Sequence, residues 1–142
     1  MKNFQLSNTQ KRLLSSAMAC AGTQAYLVSR YSEYDLQDER NLLHALEVAT
    51  SKSLTLRITQ DEEGDYVQYF GDPIKPCVVD TELEGEDLHA YLDELAYSPF
   101  EKLLDSPLAR LTVVRSREKL YLVLTAHHFV LDGTSDVNLR NN

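Results

Sequence analysis

The stretch Ala126-His127-His128-Phe129-Val130-Leu131-Asp132-Gly133 gathers the residues of this chain best suited to moving a proton. Imidazole is the side chain whose unperturbed pKa places proton exchange near neutral pH. Just upstream, Glu118 to Thr125 reads EKLYLVLT. Leu120, Leu122 and Leu124 fall on one side of that alternation and Tyr121, Val123 and Thr125 on the other, so a strand buried on both faces is expected. The histidines then stand where a rigid strand runs into a loop, a good place to present a base. Adjacent strand residues point to opposite faces. One histidine should therefore face the core or the far side of the sheet and the other a cleft, and the two should not act as a pair. Cys20 and Cys77 are remote from them, so zinc-ligand spacings are absent and no metal is expected. On spacing alone, two packed histidines ahead of an ordinary Asp-Gly turn account for the stretch equally well.

The elements that must position this stretch are readable along the chain. Ser7 with Gln10 forms a capping-box pattern opening a helix over 7–21, with Leu13, Leu14, Ala17 and Ala21 as its apolar stripe and Gly22 as its stop. Residues 25–31 (AYLVSRY) read as a strand. Asp35 is expected to cap a helix running to about Thr50 that buries Leu42, Leu43, Leu46 and Ala49. Residues 54–59 (LTLRIT) and 66–70 read as an antiparallel hairpin around the turn Asp61-Glu62-Glu63-Gly64-Asp65. Ile74 to Val79, interrupted by Pro76, suits an edge strand. Residues 85–97 read as a helix carrying Leu88, Tyr91, Leu92 and Leu95, and residues 111–115 as a strand leading to the histidines. His44 and His89 fall in helices with no assigned role.

Length and composition bound the class. A chain of 142 residues with 43% hydrophobic and 25% charged residues suits one domain with a real core. The net charge of −8 argues against a nucleic-acid or anionic-membrane partner. No run is apolar enough to span a bilayer, and the N-terminus lacks the apolar core of a signal peptide, so a cytoplasmic location with free, buried cysteines is expected.

HHFVLDG resembles the HHxxxDG signature of condensation domains of nonribosomal peptide synthetases, in the chloramphenicol-acetyltransferase-like superfamily. Further likenesses follow in the family's order. Leu6 to Leu13 (LSNTQKRL) is similar to the opening LSxxQxxL, with Ser7, Gln10 and Leu13 in the matching places. Where the family reads RHExLR this chain has Lys52-Ser53-Leu54-Thr55-Leu56-Arg57, keeping the final Leu-Arg alone. The family's PFD…GPLxR passage is met by Phe100, Pro107, Leu108 and Arg110, with Glu101 and Ser106 substituted.

The resemblance implies an α+β fold, a two-layer sandwich of helices on a mostly antiparallel sheet, with residues 1–142 forming the N-terminal subdomain and the second lobe absent. It implies amide-bond formation between an acyl or peptidyl thioester and the amine of an aminoacyl thioester, both delivered on phosphopantetheine arms of carrier proteins. No cofactor is expected on the chain itself. His128 and Asp132 take the catalytic positions. His128 serves as base or as transition-state stabiliser, and Asp132 pairs with an arginine to fix the loop rather than acting as a base; Arg57 is the candidate partner, and an outward-facing strand arginine accounts for it equally well. His127, Gly133, Arg57 and Ser135 support the site; Gly133 leaves backbone room beside a substrate, and Ser135 could donate a hydrogen bond or cap the next helix. Expected partners are carrier (thiolation) domains and the C-terminal condensation lobe or the rest of a synthetase. Self-association through the uncovered face and inactivity without the second lobe are also expected. A noncatalytic carrier- or synthetase-binding module, and an acyltransferase to a small alcohol, remain alternatives.

Overall fold

The fold is built around its last strand. In the computed structural model, which describes residues 3–19, 27–51 and 53–130, β7 (Lys119–His127) pairs along its whole length with β2 (Leu27–Asp35) on one side and with β6 (Ala109–Arg115) on the other, both antiparallel. β5 (Cys77–Asp80) adds to β6 in parallel and forms one edge of this four-stranded sheet, in the order β2-β7-β6-β5. Parallel neighbours need a crossover. Here it is α3 (Gly85–Tyr97), the helix expected over the same residues. A smaller antiparallel sheet of β1 (Asn3–Gln5), β4 (Tyr66–Phe70) and β3 (Leu56–Gln60), in that order, completes the strands. The remaining helices are α1 (Asn8–Ala19) and α2 (Glu39–Thr50). The class is α+β, as expected, and the strands divide between two sheets.

Alternation along β6 and β7 sorts the core into two parts. Val114 and Val123 face α3, where Leu88, Leu92 and Ala96 are buried against them. Each fully buried leucine there contributes about 1.5–3 kcal/mol. Leu111, Val113, Leu120 and Ala126 face the other way, into a larger core with Leu14 and Ala17 of α1, Leu42 and Leu46 of α2, and Leu56 and Ile58 of β3. Apolar residues on both faces of the β7 region thus follow from helices lying on both sides of the sheet.

Four expectations are corrected. Cys77, expected to be buried, is exposed at the start of edge strand β5. Asp35 is not a helix cap. It ends β2, opposite Lys119, and its carboxylate meets the Lys119 ammonium at 2.7 Å. A short 3-10 turn, Leu36–Asp38, then leads into α2. In α2, Ala49 is exposed and Thr50 is buried in its place, its hydroxyl donating to the Leu46 carbonyl at 2.7 Å. β3 begins at Leu56 rather than Leu54, because Leu54 sits at φ +58°, outside any strand conformation. The hairpin turn is as expected. Gly64 takes φ +86° and its N–H donates to the Asp61 carbonyl.

Candidate functional site

His127 is the last strand residue of β7. Its backbone N–H donates to the Leu108 carbonyl at 2.8 Å, just ahead of β6, and Leu27 of β2 lies opposite it. Helical backbone starts at His128. Phe129 and Val130 are completely buried by that turn, whereas His128 is exposed and His127 keeps 5% of its surface. One imidazole is therefore buried and the other exposed, although His128 opens a helical turn instead of continuing the strand as expected. The Phe129 N–H donates to Nδ1 of His127 at 3.0 Å. Burial, and then the neighbouring His128 charge, hold the His127 pKa below its ordinary value. Asp132, Gly133 and Ser135 lie outside the described residues, so their expected roles stay expectations.

Arg57 stands on β3. Its Nη2 donates to the Asp72 carbonyl at 2.9 Å. The side chain fills the space above Gly71, where an added Cβ would come within 1.3 Å of Nη1. That carbonyl contact is what the described residues show for Arg57; the expected partner, Asp132, is beyond them.

The other passages that resemble the condensation family act as props for this strand end. Arg110 on β6 stacks its guanidinium 4.6 Å from the centre of the Phe100 ring and donates to the Ser98 carbonyl. Between these residues, Asp105 adopts φ +52° and anchors the loop on the small sheet. Its N–H donates to the Ile58 carbonyl at 2.7 Å, and its carboxylate accepts from Thr59 and Tyr69, each at 3.0 Å. Burial first, and then the Asp105 carboxylate, push the Tyr69 phenol upward, which keeps its proton in that bond. The loop so held delivers the Leu108 carbonyl to His127.

At the other end of the chain, Ser7 and Gln10 form the expected capping box, with Ser7 N–H to Gln10 Oε1 at 2.8 Å and Gln10 N–H to Ser7 Oγ at 3.1 Å. Gln10 also exchanges two 2.9 Å amide bonds with Gln68 of β4, a buried pair joining α1 to the hairpin.

Sequence reasoning missed Gln68, Asp105, Ser29 and Thr125. The last two sit opposite each other on β2 and β7, and both hydroxyls donate to the Ala96 carbonyl near the end of α3, at 2.6 and 2.7 Å. Hydroxyls on paired strands were the available signal, but the carbonyl that they share comes from tertiary packing.

Two concavities among the described residues flank α1 and α2. One, about 690 Å³, lies between α1 and the β3–β4 turn, beside Lys11, Leu14, Met18, Asp61 and Tyr66. The other, about 790 Å³, lies between α2 and the 72–76 connector. Neither is lined by His127 or His128. Among the described residues, the acids Asp61, Glu63 and Asp65 cluster at the hairpin turn. Asp61 Oδ1 already accepts from the N–H groups of Glu63 and Asp65, so its role there is in the turn. No helix among the described residues is long and apolar enough to cross a membrane.

A family model described as "Condensation domain" matches residues 1–139. The chain belongs to the condensation-domain family. Solved condensation domains share its fold. A mutant starter condensation domain of rhizomide synthetase, in complex with C8-CoA, aligns with TM-score 0.68 at 14% identity, over 90% of this chain and 31% of that one. The first condensation domain of the calcium-dependent antibiotic synthetase, in complex with a substrate analogue, gives 0.70 at 17%, over 90% and 33%. A four-domain nonribosomal peptide synthetase bound to AMP and glycine gives 0.75 at 16%, over 92% and 10%. The chain thus spans about a third of the length of the single condensation domains that it matches. None of the curated proteins compared matches it.

Proposed function

We propose that this chain supplies the histidine-bearing lobe of a condensation site that joins a carrier-bound acyl or peptidyl thioester to the amine of a carrier-bound aminoacyl thioester. One observation carries the reading: His128, second in HHFVLDG, stands exposed at the end of the central strand while its neighbour is buried. In the reaction the amine nitrogen attacks the thioester carbonyl, the C–N bond forms, the C–S bond breaks and the nitrogen gives up a proton. A neutral His128 imidazole takes that proton, or holds the amine and the developing charge by hydrogen bonding. A base held in the turn that a rigid strand runs into reaches the amine without further ordering of backbone. Phosphopantetheine arms of carrier domains bring both thioesters, and the remainder of a condensation domain closes the channel over His128. Asp132 pairs with a cation and fixes the loop, and Gly133 leaves room for backbone approach.

A second reading, a noncatalytic module that binds a carrier or synthetase partner, draws on one observation. Lys52-Ser53-Leu54 stands where the family has Arg-His-Glu.

The test is peptide-bond formation from two loaded carrier proteins, followed by mass spectrometry. The chain is assayed alone, with a separately expressed second lobe, and in both forms with His128→Ala. Product that needs the second lobe and falls about 10²–10⁴-fold in His128→Ala is expected. Carrier binding without product in any mixture would favour the binding module.

A further inference from the structure

We propose that His127 is a positioning residue for His128: as the neutral tautomer with its proton on Nε2, it caps the helical turn that starts at His128 and so sets the direction in which the His128 imidazole leaves the sheet. The inference rests on the reading of His128 as the acting residue.

The geometry identifies the tautomer. An amide N–H can only donate, so the 3.0 Å contact from Phe129 N–H requires a lone pair on Nδ1, which leaves the proton of a neutral ring on Nε2. The position identifies the role. His127 is the residue before the first helical one, and Phe129 is the second helical residue, whose N–H has no partner within the helix. Ser, Thr, Asp and Asn usually fill that place. Here an imidazole fills it where both His127 and Phe129 are buried, so water is a poor substitute. The His127 backbone is itself fixed by the Leu108 carbonyl and by its register opposite Leu27. His128 lies between two anchored residues, and its Cα–Cβ direction follows from them.

The same geometry makes the cap sensitive to protonation. A proton on Nδ1 would set a donor against the Phe129 donor, so an imidazolium at His127 breaks the bond. Among the described residues, Leu27 from β2, the Leu108 carbonyl ahead of β6 and His128 lie beside His127. A charged His128 further disfavours a charge on His127.

The test uses the chain itself, labelled with ¹⁵N-histidine. The expected result at neutral pH is a His127 ring unprotonated at Nδ1 and protonated at Nε2. His127→Asn keeps an acceptor near the Nδ1 position, and His127→Leu removes it. Deuterium exchange at the Phe129 amide should stay near the wild-type rate in His127→Asn and rise about fivefold in His127→Leu, the typical effect of losing one cap bond. In the domain completed by a second lobe, His127→Asn should retain the turnover per folded molecule that His127→Leu loses, a rescue that restored packing alone would not produce. A wild-type Nδ1 bearing the proton, or unchanged Phe129 exchange in His127→Leu, would overturn the proposal. Should His127→Leu fail to fold, the wild-type ring nitrogens decide alone. Both spectroscopic readouts need no turnover, so they stand or fall apart from the condensation reading.

Discussion

Replacing Gln10 should destabilise the fold more than its single amide suggests, because four hydrogen bonds meet there. Gln10 Oε1 accepts from Ser7 N–H and from Gln68 Nε2, its own Nε2 donates to Gln68 Oε1, and its N–H is held by Ser7 Oγ. Gln10 and Gln68 are 4% and 3% exposed, so without Gln10 the Gln68 Oε1 loses its donor with no ready access to water, while Gln68 Nε2 keeps the Gln5 carbonyl at 3.0 Å. Leaving one buried polar group unpaired costs about 1–3 kcal/mol. Losing the reciprocal half of a capping box adds about 1 kcal/mol. Gln10→Leu should therefore cost about 2–4 kcal/mol, a large share of the roughly 5–15 kcal/mol available to a domain. Urea unfolding measures it: with a slope of about 1–3 kcal/mol per molar, the midpoint should fall by about 1–2 M without a change of slope. Gln10→Glu separates the contributions. It retains an acceptor for Ser7 but loses the donor to Gln68 and adds a buried charge, so it should be no better than Gln10→Leu. Adding Gln68→Leu to Gln10→Leu removes the unpaired Oε1 but also the donor to the Gln5 carbonyl, so the double variant should lie within about 1 kcal/mol of Gln10→Leu and well short of the sum of the single variants. A Gln10→Leu midpoint within error of wild type, or strictly additive single and double variants, would refute the paired-amide account.

Further outcomes follow from the same structure. His127 is held neutral in the fold, with its pKa below the ordinary value of 6.5. The stability it contributes should be complete above about pH 6.5 and be lost as pH falls from there through the folded pKa. Urea midpoints from pH 8 to 5 should therefore drop less steeply in His127→Asn than in wild type, and an identical slope would count against a buried neutral ring. Thr125→Val removes one of two hydroxyls on the Ala96 carbonyl and should cost about 1 kcal/mol; Ser29→Ala/Thr125→Val should cost more than twice that, since the carbonyl then loses both donors. Gly71→Ala places a Cβ in the space of the Arg57 guanidinium. It should break the bond to the Asp72 carbonyl, and Arg57→Ala/Gly71→Ala should be less destabilised, relative to Arg57→Ala, than Gly71→Ala is relative to wild type. Thermal melting of the four proteins checks this.

The regular elements were legible because each rests on local chemistry. The α3 range followed from its 3.6-residue apolar spacing, and the hairpin from Asp61 and Gly64 in the turn. Errors fell where a distant partner decided the outcome. Asp35 is a good cap by type, but Lys119 lies opposite it across the sheet, 84 residues away, and the ion pair keeps Asp35 in the strand. Thr50 displaced Ala49 from the core because its hydroxyl finds the Leu46 carbonyl one turn back, a bond that hydropathy does not count. The parallel β5–β6 pair was hidden for the same reason: four edge residues do not reveal their register. At the site, alternation called for two diverging histidines on one strand, but His128 opens a helical turn, so the strand rule does not set its direction. Nor could alternation foretell which would be buried, since that depends on where the strand stops and the helical turn begins.

The stretches that resemble condensation domains owe much of their residue choice to holding one strand end in place. Gln10 locks α1 to β4 through Gln68. Tyr69, the next residue of β4, and Thr59 of β3 hold Asp105. Phe100 and Arg110 clasp the ends of the Asp105 loop, and that loop presents Leu108 to the His127 N–H. His127 in turn caps the residues that carry His128 outward. Read in that order, each motif is one contact removed from the next, and only the last ends on an exposed imidazole. A change at Gln10 or Asp105 should consequently lower stability without touching the chemistry proposed for His128 in the molecules still folded, whereas His128→Ala should do the reverse. Measuring urea midpoints beside turnover per folded molecule for the three variants separates the two effects. Equal losses of turnover per folded molecule in all three would mean that the motifs are not a chain of supports.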